Sequence, residues 1–146
     1  TGVGGAAGRQ AVSMLRVLFR EAARADADTL VRACLAQQGI AVFHNSQGVE
    51  GLCLLLIAKP GQDALHAACD EVRRLLPGAQ VKLRENLAAL LALCRTTREV
   101  PKLAAAMESA GVPVHHLVQT PPGALFCVND SQYETALRAA YALAFG

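Results

Sequence analysis

The chain of 146 residues has no tryptophan, and aromatic residues make up only 4% of it. Lysine occurs three times against eleven arginines, and Arg73-Arg74 is the single adjacent basic pair. Neither a basic stripe nor a stacking platform can be built from this, so nucleic acid is excluded as a partner. Charged residues are sparse at 18%, with a net charge of +2. No apolar run reaches the ~18 residues that span a bilayer, and no basic-then-apolar leader marks export. A membrane is therefore not an expected partner, and the cytoplasm is the expected compartment. No Cys-x-x-Cys pair occurs. The cysteines at 34, 53, 69, 94 and 127 are odd in number and lie inside apolar segments, which reads as buried, reduced thiols.

A gathering of reactive groups is also missing. No serine has a histidine and an aspartate at a recognisable spacing, and there is no nucleophile elbow, Walker loop or His-Glu-x-x-His helix. Carboxylates cluster at predicted helix starts, where the macrodipole accounts for them. Asp70-Glu71 followed by Arg73-Arg74 reads as an ion-paired helix face. His115 and His116 are neighbours on a predicted strand and so point to opposite faces. His44 and His66 read as surface groups. No covalent chemistry, metal or cofactor is expected.

What the chain does contain is a repeat at an offset of 72 residues. Gly39-Ile40-Ala41-Val42 matches Gly111-Val112-Pro113-Val114, and His44 falls on His116. Leu52 to Leu56 falls on Ala124 to Val128, and Ala64 to Ala68 on Ala136 to Ala140. A repeat of this length is one supersecondary unit used twice. Each copy alone would be marginal, because small domains bury a limited share of their surface. Hydrophobic residues reach 53%. That composition fits burial between chains, as in a homodimer, and equally an Ala- and Leu-rich protein from a GC-rich genome.

The glycine-rich stretch 1–10 reads as a flexible leader. Residues 12–19 read as a strand, followed by a helix capped by Asp26 or Asp28, buried through Leu30, Val31, Cys34 and Leu35, and stopped by Gly39. Residues 40–44 and 52–58 are strands joined by a polar hairpin connection over 45–51, and Lys59-Pro60-Gly61 breaks the second. Asp63 caps a helix ending at Pro77-Gly78, and residues 80–85 alternate as a fourth strand. The pattern restarts with a strand at 87–94, a helix capped by Thr96 or Thr97, strands at 112–118 and 124–128, and a last helix capped by Ser131. The fold class is α+β: two ferredoxin-like βαββαβ units with antiparallel sheets and helices on one face. The first unit spans 11–86 and the second 87–146.

Two such units in tandem, with helices ending in Gly39-Ile40 and Gly111-Val112, resemble paired ACT domains. More narrowly, they resemble the regulatory region of aspartate kinase. Residues 106–112, the Ala-Leu-rich run 136–145 and the link Glu85-Asn86-Leu87-Ala88 carry the resemblance. The Lys-Phe-Gly-Gly motif of the kinase lobe does not occur. The resemblance implies an allosteric module, not an enzyme in itself, that binds a small amino acid, lysine or threonine, and acts on a kinase catalytic domain in cis or in trans. By position, the implied effector residues are Asp26, Asp28, Thr29, His44, Asn45 and Ser46. A helix N-terminus would offer N–H groups to the amino-acid carboxylate, and Asp26 or Asp28 would hold its ammonium. The family's Pro-Gly in this loop is replaced by Ala25-Asp26. A ligand-free dimerisation module is therefore the alternative expectation.

Overall fold

The computed structural model describes residues 3–19, 24–47, 51–57, 61–96, 98–120 and 123–145. In chain order the elements are β1 (Val3–Leu18), α1 (Arg24–Gln37), β2 (Ala41–Gln47), β3 (Gly51–Ile57), α2 (Gln62–Leu75) and β4 (Gln80–Cys94). They continue with α3 (Glu99–Ser109), β5 (His116–Thr120), β6 (Gly123–Asn129), a 3-10 turn (Asp130–Gln132) and α4 (Tyr133–Phe145). The expected turn at 48–50, the Lys59-Pro60 break, the cap at Thr97 and Pro121-Pro122 lie outside the described residues.

The chain forms two compact units. One is continuous, Val12–Glu85, and the other joins Thr1–Ala11 to Asn86–Gly146. Strand order is β2-β3-β1-β4 in the first and β1-β4-β6-β5 in the second. The expected flexible leader at 1–10 is corrected here, because Val3 to Gln10 belong to β1. The strand beside β4 in this unit is supplied by the segment before Val12. Residues 80–85 and 87–94, read as separate strands, are one strand, β4.

Registers define how the copies correspond. Leu15 lies opposite Leu54 in β1–β3, and Leu90 opposite Phe126 in β4–β6. Leu54 and Phe126 keep the 72-residue offset, whereas Leu15 and Leu90 are 75 apart. The strand correspondence inferred from the repeat is thus displaced by three residues, the amount by which α3, with 11 residues, is shorter than α1, with 14. On this alignment Ala11 matches Asn86. Both are left-handed, with φ of 56° and 58°, and both sit where a strand passes from one unit to the other. Asparagine tolerates that conformation, while alanine pays about 1–2 kcal/mol. The Ala11 N–H donates to Asp130 Oδ1 at 3.0 Å, which helps hold the bend.

Each unit has its own core. Leu15, Val17, Leu54 and Leu56 from the strands meet Val31, Leu35, Leu65 and Val72 from α1 and α2. In the other unit Leu90, Phe126 and Val128 meet Leu103, Met107, Ala136 and Ala140 from α3 and α4. β3 is buried on both faces, as its unbroken apolar run predicts for a central strand.

Several element starts differ from the sequence pattern. α1 begins at Arg24, so Asp26 lies inside its first turn and neither Asp26 nor Asp28 is the cap. Gly61, not Asp63, is the N-cap of α2, and Arg98 precedes α3. Ser131 sits in the 3-10 turn ahead of α4. β5 starts only at His116, since Val112 N–H is spent on Met107 O and Pro113 has no N–H to give a ladder.

The helix stops at Gly39 and Gly111 agree with the sequence. Gly39 N–H donates to Ala36 O and Ile40 N–H to Leu35 O, both at 3.0 Å, and Gly111 and Val112 repeat the pair on Glu108 and Met107. These are Schellman closures, with φ of 69° and 73° at the glycines. A Cβ at Gly111 would meet nothing within 4 Å, whereas one at Gly123 would strike the Ala92 carbonyl. Gly111→Ala should therefore cost about 1–2 kcal/mol from backbone strain alone. Gly123→Ala should cost about 3 kcal/mol or more. Urea denaturation of the two variants checks both size and order.

Candidate functional site

The six implied effector residues fall on the first turns of α1 and on β2. Asp26 is exposed in the opening turn of α1, where the helix dipole favours a carboxylate. Asp28 is half-buried and accepts a hydrogen bond from Arg32 Nε at 2.9 Å, one helical turn on. Thr29 is exposed on the same helix.

β2 is the edge strand of its unit, and its register breaks between Val42 and His44. Val42 lies opposite Leu56, His44 opposite Leu55, Asn45 opposite Leu54 and Ser46 opposite Cys53. Residues paired across two strands project from the same face. Leu54 and Leu56 face α1 and α2, so Asn45 shares the helix side, and His44 and Ser46 lie on the opposite face. The bulge thereby divides the expected set: Asp26, Asp28, Thr29 and Asn45 on one side of the sheet, His44 and Ser46 on the other. His44 Nε2 and Ser46 Oγ are 3.1 Å apart. Burial pushes the His44 imidazole below its ordinary value of 6.5. Arg16 and Cys53, not singled out from the sequence, lie on the face of His44 and Ser46. The signal that could have found Arg16 is a lone charge inside the run Met14-Leu15-Arg16-Val17-Leu18.

The second unit has no such bulge. His116 lies opposite Cys127 and Leu117 opposite Phe126. His115 is not a strand residue. Its N–H donates to Cys127 O at 2.8 Å, and its Nε2 lies 2.8 Å from Asn129 Oδ1. Asn129 Nδ2 donates to Gln132 Oε1 at 3.3 Å, and Gln132 Nε2 donates to Gly111 O at 3.0 Å. This relay closes the end of β6 over the α3 stop. An open, mostly apolar hollow of about 450 Å³ lies nearby, lined by Ala104, Glu108, Gly111, Val112, Pro113 and Val114. His66 pairs with Glu85 at 2.6 Å, tying α2 to β4.

Among the described residues, no three His, Cys, Asp or Glu side chains are grouped to hold a metal ion. All five cysteines remain thiols, and burial pushes that of Cys69 up to about 11. No described helix is long and apolar enough to cross a membrane.

No family model matches the sequence, nor does any curated protein. Solved structures do match. The aspartate kinase of Clostridium acetobutylicum superposes with a TM-score of 0.84 at 15% identity, over 99% of this chain and 34% of that one. The regulatory subunit of aspartate kinase from Thermus flavus superposes at 0.76 with 22% identity, and each chain is covered completely. E. coli aspartokinase III in complex with lysine and aspartate gives 0.65 at 15% identity, over 97% of this chain and 33% of that one.

The fold is that of an aspartate kinase regulatory region. This chain spans about a third of the Clostridium and E. coli enzymes and the whole of the Thermus flavus regulatory subunit. The ACT-type reading of the repeat therefore agrees with the aspartate kinase regulatory fold in its elements and in its two-unit plan.

The His44 environment carries a pH signature. Its folded value lies below the unfolded one, so the unfolded chain binds the proton first as pH falls. Stability should be complete above about 6.5 and decline below it as the folded value is approached. His44→Gln should flatten that part of the profile. NMR titration of the His44 ring together with pH-dependent denaturation tests it.

Proposed function

We propose that this chain is an allosteric regulatory module that binds a small amino acid, lysine or threonine, and controls an aspartate kinase catalytic domain in cis or in trans. The supporting observation is the full mutual coverage with the Thermus flavus regulatory subunit. The description of E. coli aspartokinase III as a complex with lysine and aspartate makes lysine a reasonable first ligand. In this reading the module is a cytoplasmic homodimer without catalytic activity of its own. Asp26 receives the effector ammonium, Thr29 and Asn45 line the helix side, and the start of α1 faces the carboxylate.

One observation favours a ligand-free dimerisation module instead. Asp28, one of the two carboxylates available to an ammonium, is already paired with Arg32. The Ala25-Asp26 sequence in place of Pro-Gly points the same way.

Calorimetry separates the two readings. An amino acid makes few contacts, so binding should fall between about −8 and −4 kcal/mol, micromolar to millimolar. Asp26→Ala should weaken it about tenfold, the loss of one hydrogen bond to a charged group. Absence of heat with both lysine and threonine at millimolar concentration, in a chain that light scattering shows to be dimeric, selects the structural module.

A further inference from the structure

The hollow of about 450 Å³ in the discontinuous unit contains none of the six implied effector residues. It lies where α3 ends and the chain turns towards β5. Ala104 and Glu108 are one helical turn apart on α3, and Gly111 to Val114 follow the helix stop. Small-ligand sites enclose about 300–1,000 Å³, so the volume is adequate for a compact organic molecule.

The repeat shows which residues open it. At the 72-residue offset, Ala104 corresponds to Arg32 and Glu108 to Ala36. The first copy has a long cationic side chain, paired with Asp28, where the second has a methyl group. It has a methyl group where the second has a carboxylate.

The charge around the hollow is of one sign. The ion pairs of this unit join Lys102 to Glu99 and Arg138 to Glu134, and among the described residues no ion pair includes Glu108. The last turn of α3 contains no basic residue. Glu108 therefore stands at the negative end of the helix dipole, where a carboxylate is disfavoured and a cation is favoured. Anionic ligands are repelled from this place. A divalent metal ion needs about six oxygen ligands, and among the described residues no three acidic, histidine or cysteine side chains are grouped to hold one. An apolar lining beside one carboxylate matches a hydrocarbon stem that ends in an ammonium.

We propose that this hollow binds a small aliphatic amine, with the ammonium on Glu108 and the hydrocarbon chain against Ala104, Val112, Pro113 and Val114. The site lies in a different unit from Asp26, Thr29 and Asn45. It stands without the effector reading, because it uses no carboxylate on the ligand.

Methyl NMR of the full chain, titrated with n-pentylamine at neutral pH and low salt, tests this. The Ala104, Val112 and Val114 signals should shift and saturate, whereas those of Val31 and Val72 in the other unit should not move. An exposed ion pair contributes little, so pentanol should bind about threefold more weakly, and Glu108→Gln should bring the amine to the level of the alcohol. Pentanoate should bind more weakly than either. Propylamine, two methylenes shorter, should bind about fivefold more weakly than pentylamine. Ala104→Arg, which copies the residue of the first unit, should fill the hollow and abolish saturation. Glu108 is exposed, so Glu108→Gln remains a test if Ala104→Arg fails to fold. Asp26→Ala should leave the titration unchanged. The proposal is overturned if pentylamine gives no saturable shift, if pentanol or pentanoate binds equally, if binding survives unchanged in Glu108→Gln or in a folded Ala104→Arg variant, or if Asp26→Ala removes it.

Discussion

A strand inside a sheet must have its backbone N–H and C=O groups paired on both sides, and this obligation organises the discontinuous unit. β4 has β6 on one side, and its other side needs a strand as well. Residues 3–11 fill the position. Ala6 packs against the core, Tyr141 Oη donates to Ala6 O at 2.9 Å, and Asp130 takes the Ala11 N–H. The left-handed residues Ala11 and Asn86 follow from the same demand, since each of the two strands continues from one unit into the other and bends where it does so.

The two copies of the repeat differ in the side chains they set on corresponding positions of the sheet. A single extra residue in β2 turns His44 and Ser46 to the face away from the helices and leaves Asn45 on the helix side. The equivalent strand β5 sets His116 opposite Cys127 and Val118 opposite Leu125, on the same face away from the helices, so the copies differ there in residue identity and not in orientation. His115 is occupied in a relay through Asn129 and Gln132. Two copies of one fold thus present different chemistry on the face away from the helices: polar across Arg16, Cys53 and Ser46, apolar across Leu91, Leu125 and Val118.

Local signals were legible where they depend on local physics. Gly39 and Gly111 end their helices because only a left-handed residue allows the closing hydrogen bonds, and a glycine after an apolar stripe is visible in the sequence. β3 and β6 were legible as central strands from unbroken apolar runs. Helix starts were less so. Asp26, Asp63 and Ser131 all look like caps, yet each lies past the first residue of its helix or turn: a carboxylate anywhere in the first turn is favoured by the dipole, and Ser131 falls in the 3-10 turn ahead of α4. How the six implied effector residues divide between the two faces of the sheet was not legible, since the face a strand residue takes depends on a bulge that the sequence does not announce.

The sequence by itself determined the repeat, the α+β class, the order of elements and the absence of a recognisable catalytic constellation, all of which rest on periodicity, chain punctuation and residue chemistry. Tertiary structure alone decided that a glycine-rich opening segment is a strand, that the second copy is completed by chain lying before the first, and that Arg16, Cys53 and Ser46 share a row. Strand partners are chosen by hydrogen bonding between segments far apart in the chain. A glycine-rich stretch carries no side-chain pattern to reveal such a partner, and register, which places residues side by side, exists only once the strands have paired.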